Sequence, residues 1–104
     1  MTELKNEKDF NSLTSSSKLT VVKYFATWCG ACKMLAPVFE KVAKSMSDKV
    51  NFAEVDIDTA KLLADKSEVH ATPTIIYFKD GKEVARTVGF LDEDSLYAKV
   101  KSLM

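Results

Sequence analysis

The chain has 104 residues, 46% apolar and 29% charged, with fifteen basic and fifteen acidic residues that cancel. That is enough for one domain, residues 1–104, around a hydrophobic core, and the zero net charge removes the long-range field that would draw nucleic acid or an anionic membrane surface. No apolar run approaches the ~20 residues of a membrane span, and two cysteines are too few for a disulfide-rich secreted scaffold.

Taken in order, Thr2 to Lys5 has the look of a short edge strand. Asn6 suits an N-cap, with acidic Glu7 and Asp9 behind it and Phe10 and Leu13 at helical spacing. The polar run Thr14-Ser15-Ser16-Ser17 ends that helix. Leu19 to Ala26 is β-branched and aromatic, nearly continuous in apolar character, as in a central strand covered on both faces. Lys23 interrupts it. A long helical pattern follows from Cys32 to about Met46, with Leu35, Val38, Phe39, Val42 and Met46 on one stripe and Pro37 inside, where it should bend the helix. Val50 to Ile57 reads as a strand. Thr59 to Lys66 reads as a short helix with Thr59 as its cap and Leu62 and Leu63 apolar. A loop through His70 and Pro73 leads to a strong strand, Thr74 to Phe78. Asp80-Gly81 signals a hairpin, and Lys82 to Val88 returns. Asp92 caps a last helix, with Glu93 and Asp94 at its positive end and Leu96, Val100 and Leu103 inside. Strand–helix alternation of this kind predicts parallel pairing with helices on both faces, the final hairpin adding an antiparallel strand.

The chemistry lies in Trp28-Cys29-Gly30-Ala31-Cys32-Lys33, which holds both cysteines and the only tryptophan. Disulfide exchange needs an exposed, stabilised thiolate that attacks a disulfide sulfur. Cys29 stands just before a helix, where unpaired N–H groups and the dipole favour negative charge. Cys32, one turn on, is placed to resolve the mixed disulfide and leave a Cys29–Cys32 disulfide. Lys33 adds a positive charge, and Trp28 a flat surface for a peptide. Zinc would need about four ligands, and His70 is the only histidine in the chain, so a metal site is not expected. A purely structural disulfide across so short a loop would add little.

The chain resembles the thioredoxin family along essentially its whole length, in particular its small cytosolic members in eukaryotes. The matching stretches are Ala26-Thr27-Trp28-Cys29-Gly30-x-Cys32-Lys33, Ala36-Pro37, Asp56-x-Asp58, Thr72-Pro73-Thr74, Phe78-Lys79-x-Gly81 and Val88-Gly89. The resemblance implies an α/β thioredoxin fold: a mixed five-stranded sheet flanked by four helices, the last strand pair antiparallel. It implies a cis-proline at Pro73 facing the sulfurs, and a substrate groove of Trp28, Gly30, Ala71, Thr72, Pro73, Val88 and Gly89, with Thr72 offering its backbone to an extended peptide. It implies reduction of protein disulfides in the cytoplasm by a monomer with no bound cofactor. A thioredoxin reductase would regenerate the dithiol, its NADPH and flavin being its own. The targets would be disulfide-containing proteins such as peroxidases and reductases. The polar start, Met1 to Lys5, lacks the apolar core of a signal peptide, in keeping with a cytosolic protein. Two other functions stay open: the same chemistry run as a disulfide oxidase or isomerase, and a redox-independent chaperone or binding subunit.

Two positions depart from the family pattern. Ala31 stands where proline is usual, which predicts a more oxidising couple. Lys23 stands where a buried aspartate is usual, and Glu54 where the facing residue is often lysine, a pair reversed in sign. Either the reversal only keeps a buried pair neutral, or Glu54 accepts the Cys32 proton while Lys23 favours thiolates. A slip of one residue, with Lys23 facing solvent, is the third option.

Overall fold

A computed structural model describes all 104 residues. The elements are β1 (Thr2–Glu3), α1 (Glu7–Thr14), β2 (Thr20–Phe25), α2 (Gly30–Met46), β3 (Asn51–Asp56), α3 (Lys61–Lys66), β4 (Thr74–Lys79), β5 (Lys82–Val88) and α4 (Glu93–Leu103). Five strands form one mixed sheet in the order β1-β3-β2-β4-β5.

Side chains that alternate along β2 build the two cores, because successive strand residues point to opposite faces. Val21 packs with Leu35, Phe39, Val42, Ile75, Tyr77, Leu96 and Val100 beneath α2 and α4. Val22 and Tyr24 pack with Leu4, Val55, Leu63, Ile76 and Phe78 on the opposite face, where Phe10 and Leu13 of α1 close over them. The predicted α2 stripe is therefore the core stripe, with Val38 only half-buried. Asn6 caps α1 by accepting from the Asp9 amide at 2.8 Å, and Asp92 caps α4 by accepting from Ser95 at 2.8 Å. The Asp80-Gly81 hairpin is present, with both residues at positive φ, 54° and 81°. That is the pair of angles a two-residue turn between twisted strands demands.

Three expectations are corrected. The antiparallel part of the sheet begins one strand early: β2 pairs with β3 in parallel but with β4 antiparallel. Six residues of α3 rise only ~9 Å at 1.5 Å each, about half a strand length, so the chain re-enters the sheet at the end it left. Thr59 does not cap α3; Ala60 occupies that position without a side-chain bond. Leu62 is exposed, Leu63 alone of the two facing the core. In addition α2 starts at Gly30, two residues before the expected Cys32, because Cys29 is its cap.

Candidate active site

The C-terminal end of β2 delivers Cys29 to the first turn of α2, where its sulfur acts as the N-cap acceptor. The Cys32 amide donates to Cys29 Sγ at 3.2 Å, so an unpaired helix N–H is satisfied by the group that must carry negative charge. Both cysteines are free thiols. The Cys29 thiol is held below its ordinary range, first by hydrogen bonding from the Cys32 thiol, next by Thr72, and then by the Cys32 and Ala31 amides. The Cys32 thiol is pushed up, first by burial and then by its hydrogen bond to Cys29. One sulfur is tuned to be a thiolate and the other to keep its proton.

Cys29 is less exposed than a nucleophile was expected to be, at 8%, against 3% for Cys32. The reason is the facing loop: Cys29 Sγ lies 3.6 Å from the Thr72 carbonyl oxygen. The Thr72–Pro73 bond is cis, in keeping with the expectation for Pro73. Thr74 Oγ1 donates to the Ala71 carbonyl at 2.6 Å, and the Gly89 amide donates to the Pro73 carbonyl at 2.8 Å. These two bonds fasten the loop to the ends of β4 and β5. Gly89 has φ +94°, a conformation that favours glycine. The Thr72 amide bonds to no other backbone group.

Around the sulfurs the surface is open. Trp28 is 69% exposed, Gly30, Ala71 and Val88 are also exposed, and Thr72 and Gly89 are half-buried. The indole is not loose, because Trp28 Nε1 donates to Asp58 Oδ2 at 2.8 Å. Asp58 is held in turn by Asp56, whose Oδ1 accepts from the Asp58 amide at 2.9 Å. Sequence reasoning found the Asp56-x-Asp58 stretch but not these roles; the spacing of an aspartate bonding the amide two residues on was the available signal. It also missed Phe90, exposed just beyond Gly89. Lys33 faces solvent and His70 lies in an exposed loop, so neither joins the sulfurs.

Lys23 does not face solvent. It is the register partner of Glu54, and its Nζ lies 3.4 Å from Glu54 Oε1, with side-chain exposures of 4% and 27%. The ammonium sits over the rings of Phe25 and Phe39, 5.2 and 5.1 Å from their centroids. Phe25 in turn packs against the cluster of Ala26, Cys29 and Cys32. The Lys23 charge is thus paired with Glu54 and packed over Phe25, a ring that also touches the thiol cluster.

A thioredoxin family model matches residues 1–102. The chain belongs to the thioredoxin family. It is 49% identical to thioredoxin-2 of Saccharomyces cerevisiae over 90 residues, 86% of each chain. It is 37% identical to the thioredoxin of Mycoplasmoides gallisepticum over 101 residues, 97% of this chain and 100% of that one. The thioredoxin structure from Malassezia sympodialis superposes with a TM-score of 0.91 at 35% identity, covering 98% of this chain and 89% of the other. The thioredoxin fold expected from the sequence is therefore present, and the chemistry is thiol–disulfide exchange. Thioredoxins carry this out without a cofactor of their own, served by a reductase and by disulfide-bearing targets. Neither the oxidase or isomerase alternative nor the redox-independent one is favoured by these relatives. No helix is long and apolar enough to cross a membrane.

Proposed function

We propose that this chain, as a single domain over residues 1–104, reduces protein disulfides with Cys29 as nucleophile and Cys32 as resolving thiol. The observation that carries the assignment is the pair of free thiols one helical turn apart at the start of α2, with Cys29 Sγ at the N-cap accepting from the Cys32 amide at 3.2 Å, a position that favours the Cys29 thiolate. Cys29 attacks a target disulfide and forms a mixed disulfide. Cys32 then attacks Cys29, the target leaves as a dithiol, and a Cys29–Cys32 disulfide remains. The groove is assigned to Trp28, Gly30, Ala71, Thr72, Pro73, Val88 and Gly89. An extended segment of the target would bond the Thr72 backbone as an added strand, which the unengaged Thr72 amide supports. Gly30 and Ala31 set the couple, with Lys23 and Glu54 behind it. The partners are a thioredoxin reductase, which supplies electrons from NADPH through its flavin, and target disulfide proteins such as peroxidases and reductases. The proposed setting is the cytoplasm and the proposed state a monomer.

The test couples the protein to a thioredoxin reductase, NADPH and a disulfide substrate and follows NADPH loss. Turnover is expected, and its absence would sink the assignment. With Cys32→Ser the mixed disulfide should accumulate through Cys29; with Cys29→Ser none should form.

A further inference from the structure

The Arg86 guanidinium on β5 donates to three residues at once. Its Nε and Nη2 meet the two Glu83 carboxylate oxygens at 2.9 Å each. Nη2 also donates to the Ser67 carbonyl at 2.7 Å, and Nη1 to the Glu68 carbonyl at 2.9 Å. A planar fork of N–H groups is suited to meeting a carboxylate and two carbonyls together. Ser67 and Glu68 follow the last turn of α3 and begin the loop, residues 67–73, that ends at the cis-proline. Glu68 stands at φ +56°, a left-handed conformation that a non-glycine residue keeps only where its surroundings hold it.

The loop needs such a hold, because its middle has little of its own. His70, Ala71 and Thr72 make no main-chain hydrogen bond. The Thr74 hydroxyl reaches the Ala71 carbonyl and the Cys29 thiol reaches that of Thr72. The second contact is lost when Cys29 reacts, since a thiolate has no proton to donate. The loop is then placed chiefly by its two ends. At the far end the Gly89 amide donates to the Pro73 carbonyl. At the near end, beside the Arg86 bonds, the Tyr24 hydroxyl meets Ser67 Oγ at 2.8 Å and the Val69 amide donates to the Ala64 carbonyl at 3.1 Å. Arg86 lies in β5 and Gly89 just past its end, about 10 Å apart at the rise of a strand. One edge strand therefore grips both ends of the loop that faces the sulfurs.

We propose that Arg86 is a positioning residue for substrate recognition, its guanidinium fixing the start of this loop so that the Thr72 main chain stays where an extended target segment can pair with it. None of its hydrogen bonds involves a sulfur. The inference rests on peptide docking at Thr72, as assigned above. Its effect is selective by substrate. A disulfide within a peptide uses Thr72 and depends on the hold, whereas a small disulfide with no main chain needs only the Cys29 thiolate.

The test mixes the reduced protein with a peptide disulfide and, separately, with hydroxyethyl disulfide, and compares the second-order rate constants. Arg86→Met keeps an apolar stem and removes every donor. It should slow the peptide reaction by ~10-fold, a modest share of what a misplaced group can cost, and leave the small disulfide within about twofold. Arg86→Lys keeps the charge without the fork and should stay nearer to Arg86→Met than to the parent. In both variants the Val69 amide should exchange with solvent several-fold faster while that of Val22 in β2 is unchanged. Equal slowing with both disulfides, an unchanged peptide rate, full recovery in Arg86→Lys, or Val69 exchange as slow as in the parent would each overturn the role of Arg86 and leave the oxidoreductase assignment intact. If the parent itself reduces the peptide no faster than the small disulfide, docking at Thr72 falls and this inference with it.

Discussion

Ala31 shows what one residue does to a redox couple. Its amide is among the groups that stabilise the Cys29 thiolate, and proline has no amide hydrogen to offer. Ala31→Pro should therefore raise the Cys29 thiol toward its ordinary range and disfavour the reduced form, making the protein a stronger reductant. Redox titration of both forms against a glutathione buffer checks this; an unchanged or higher potential in the proline form would contradict it. The Lys23–Glu54 pair gives a second residue-scale expectation. Glu54 reaches solvent and Lys23 does not, so the two deletions are unequal. Lys23→Met leaves a carboxylate that water can still solvate and fills the aromatic cradle with an apolar chain, a loss of under ~1 kcal/mol. Glu54→Gln leaves a buried ammonium without its counter-charge, and about 1–3 kcal/mol of stability should go. Urea melts of both variants decide it, and a larger loss in Lys23→Met would reverse the ranking.

At the scale of elements, the Asp56–Asp58 turn after β3 is a support for a residue on another element, since it holds the Trp28 indole ahead of α2. Asp58→Ala should free the indole, raise KM for a peptide disulfide several-fold and leave the Cys29 titration where it was; steady-state kinetics with a thiol titration separates the two. The same turn shows how far the chain could be read without coordinates. Elements with strong periodicity or a capping side chain were legible: α1 behind Asn6, α4 behind Asp92, the α2 stripe and the Asp80-Gly81 hairpin. Both site cysteines were legible too, because the Cys29 position just before a helix is a local property. The direction of β4 was not, since it depends on where a short helix leaves the chain in space. Thr59 misled because Asp56, three residues earlier, had already taken the turn's amides. The Trp28–Asp58 bond spans thirty positions and has no local signature.

For the whole molecule, the buried hydroxyl of Tyr24 ties stability to alkaline pH. Burial pushes its pKa up from 10.0 to about 12, with the Ser67 hydrogen bond partly opposing. A group whose pKa is higher in the folded state holds its proton more tightly there. Its contribution is whole below the unfolded value and is lost as pH climbs from 10.0 to about 12. At 1.36 kcal/mol per unit the full loss is about 2–3 kcal/mol. The melting temperature should fall steeply over that window and less steeply in Tyr24→Phe; equal slopes would show that the alkaline limit lies elsewhere.

The Thr72 amide, left without a backbone partner above the sulfurs, has a consequence for what this molecule can act upon. An amide of that kind can donate only to a partner whose main-chain carbonyl is unoccupied, and a disulfide embedded in a sheet or helix has none to spare. With targets docking there as proposed, a folded one would first have to let go of the strand around its bond. The equilibrium constant of that local opening then multiplies directly into the rate, so its free energy enters exponentially. Disulfides in tense or fraying segments should be reduced quickly and those in rigid cores hardly at all, whatever their redox potentials. In that sense the open amide, used in this way, would make the protein a gauge of mechanical looseness in its targets as well as a donor of electrons.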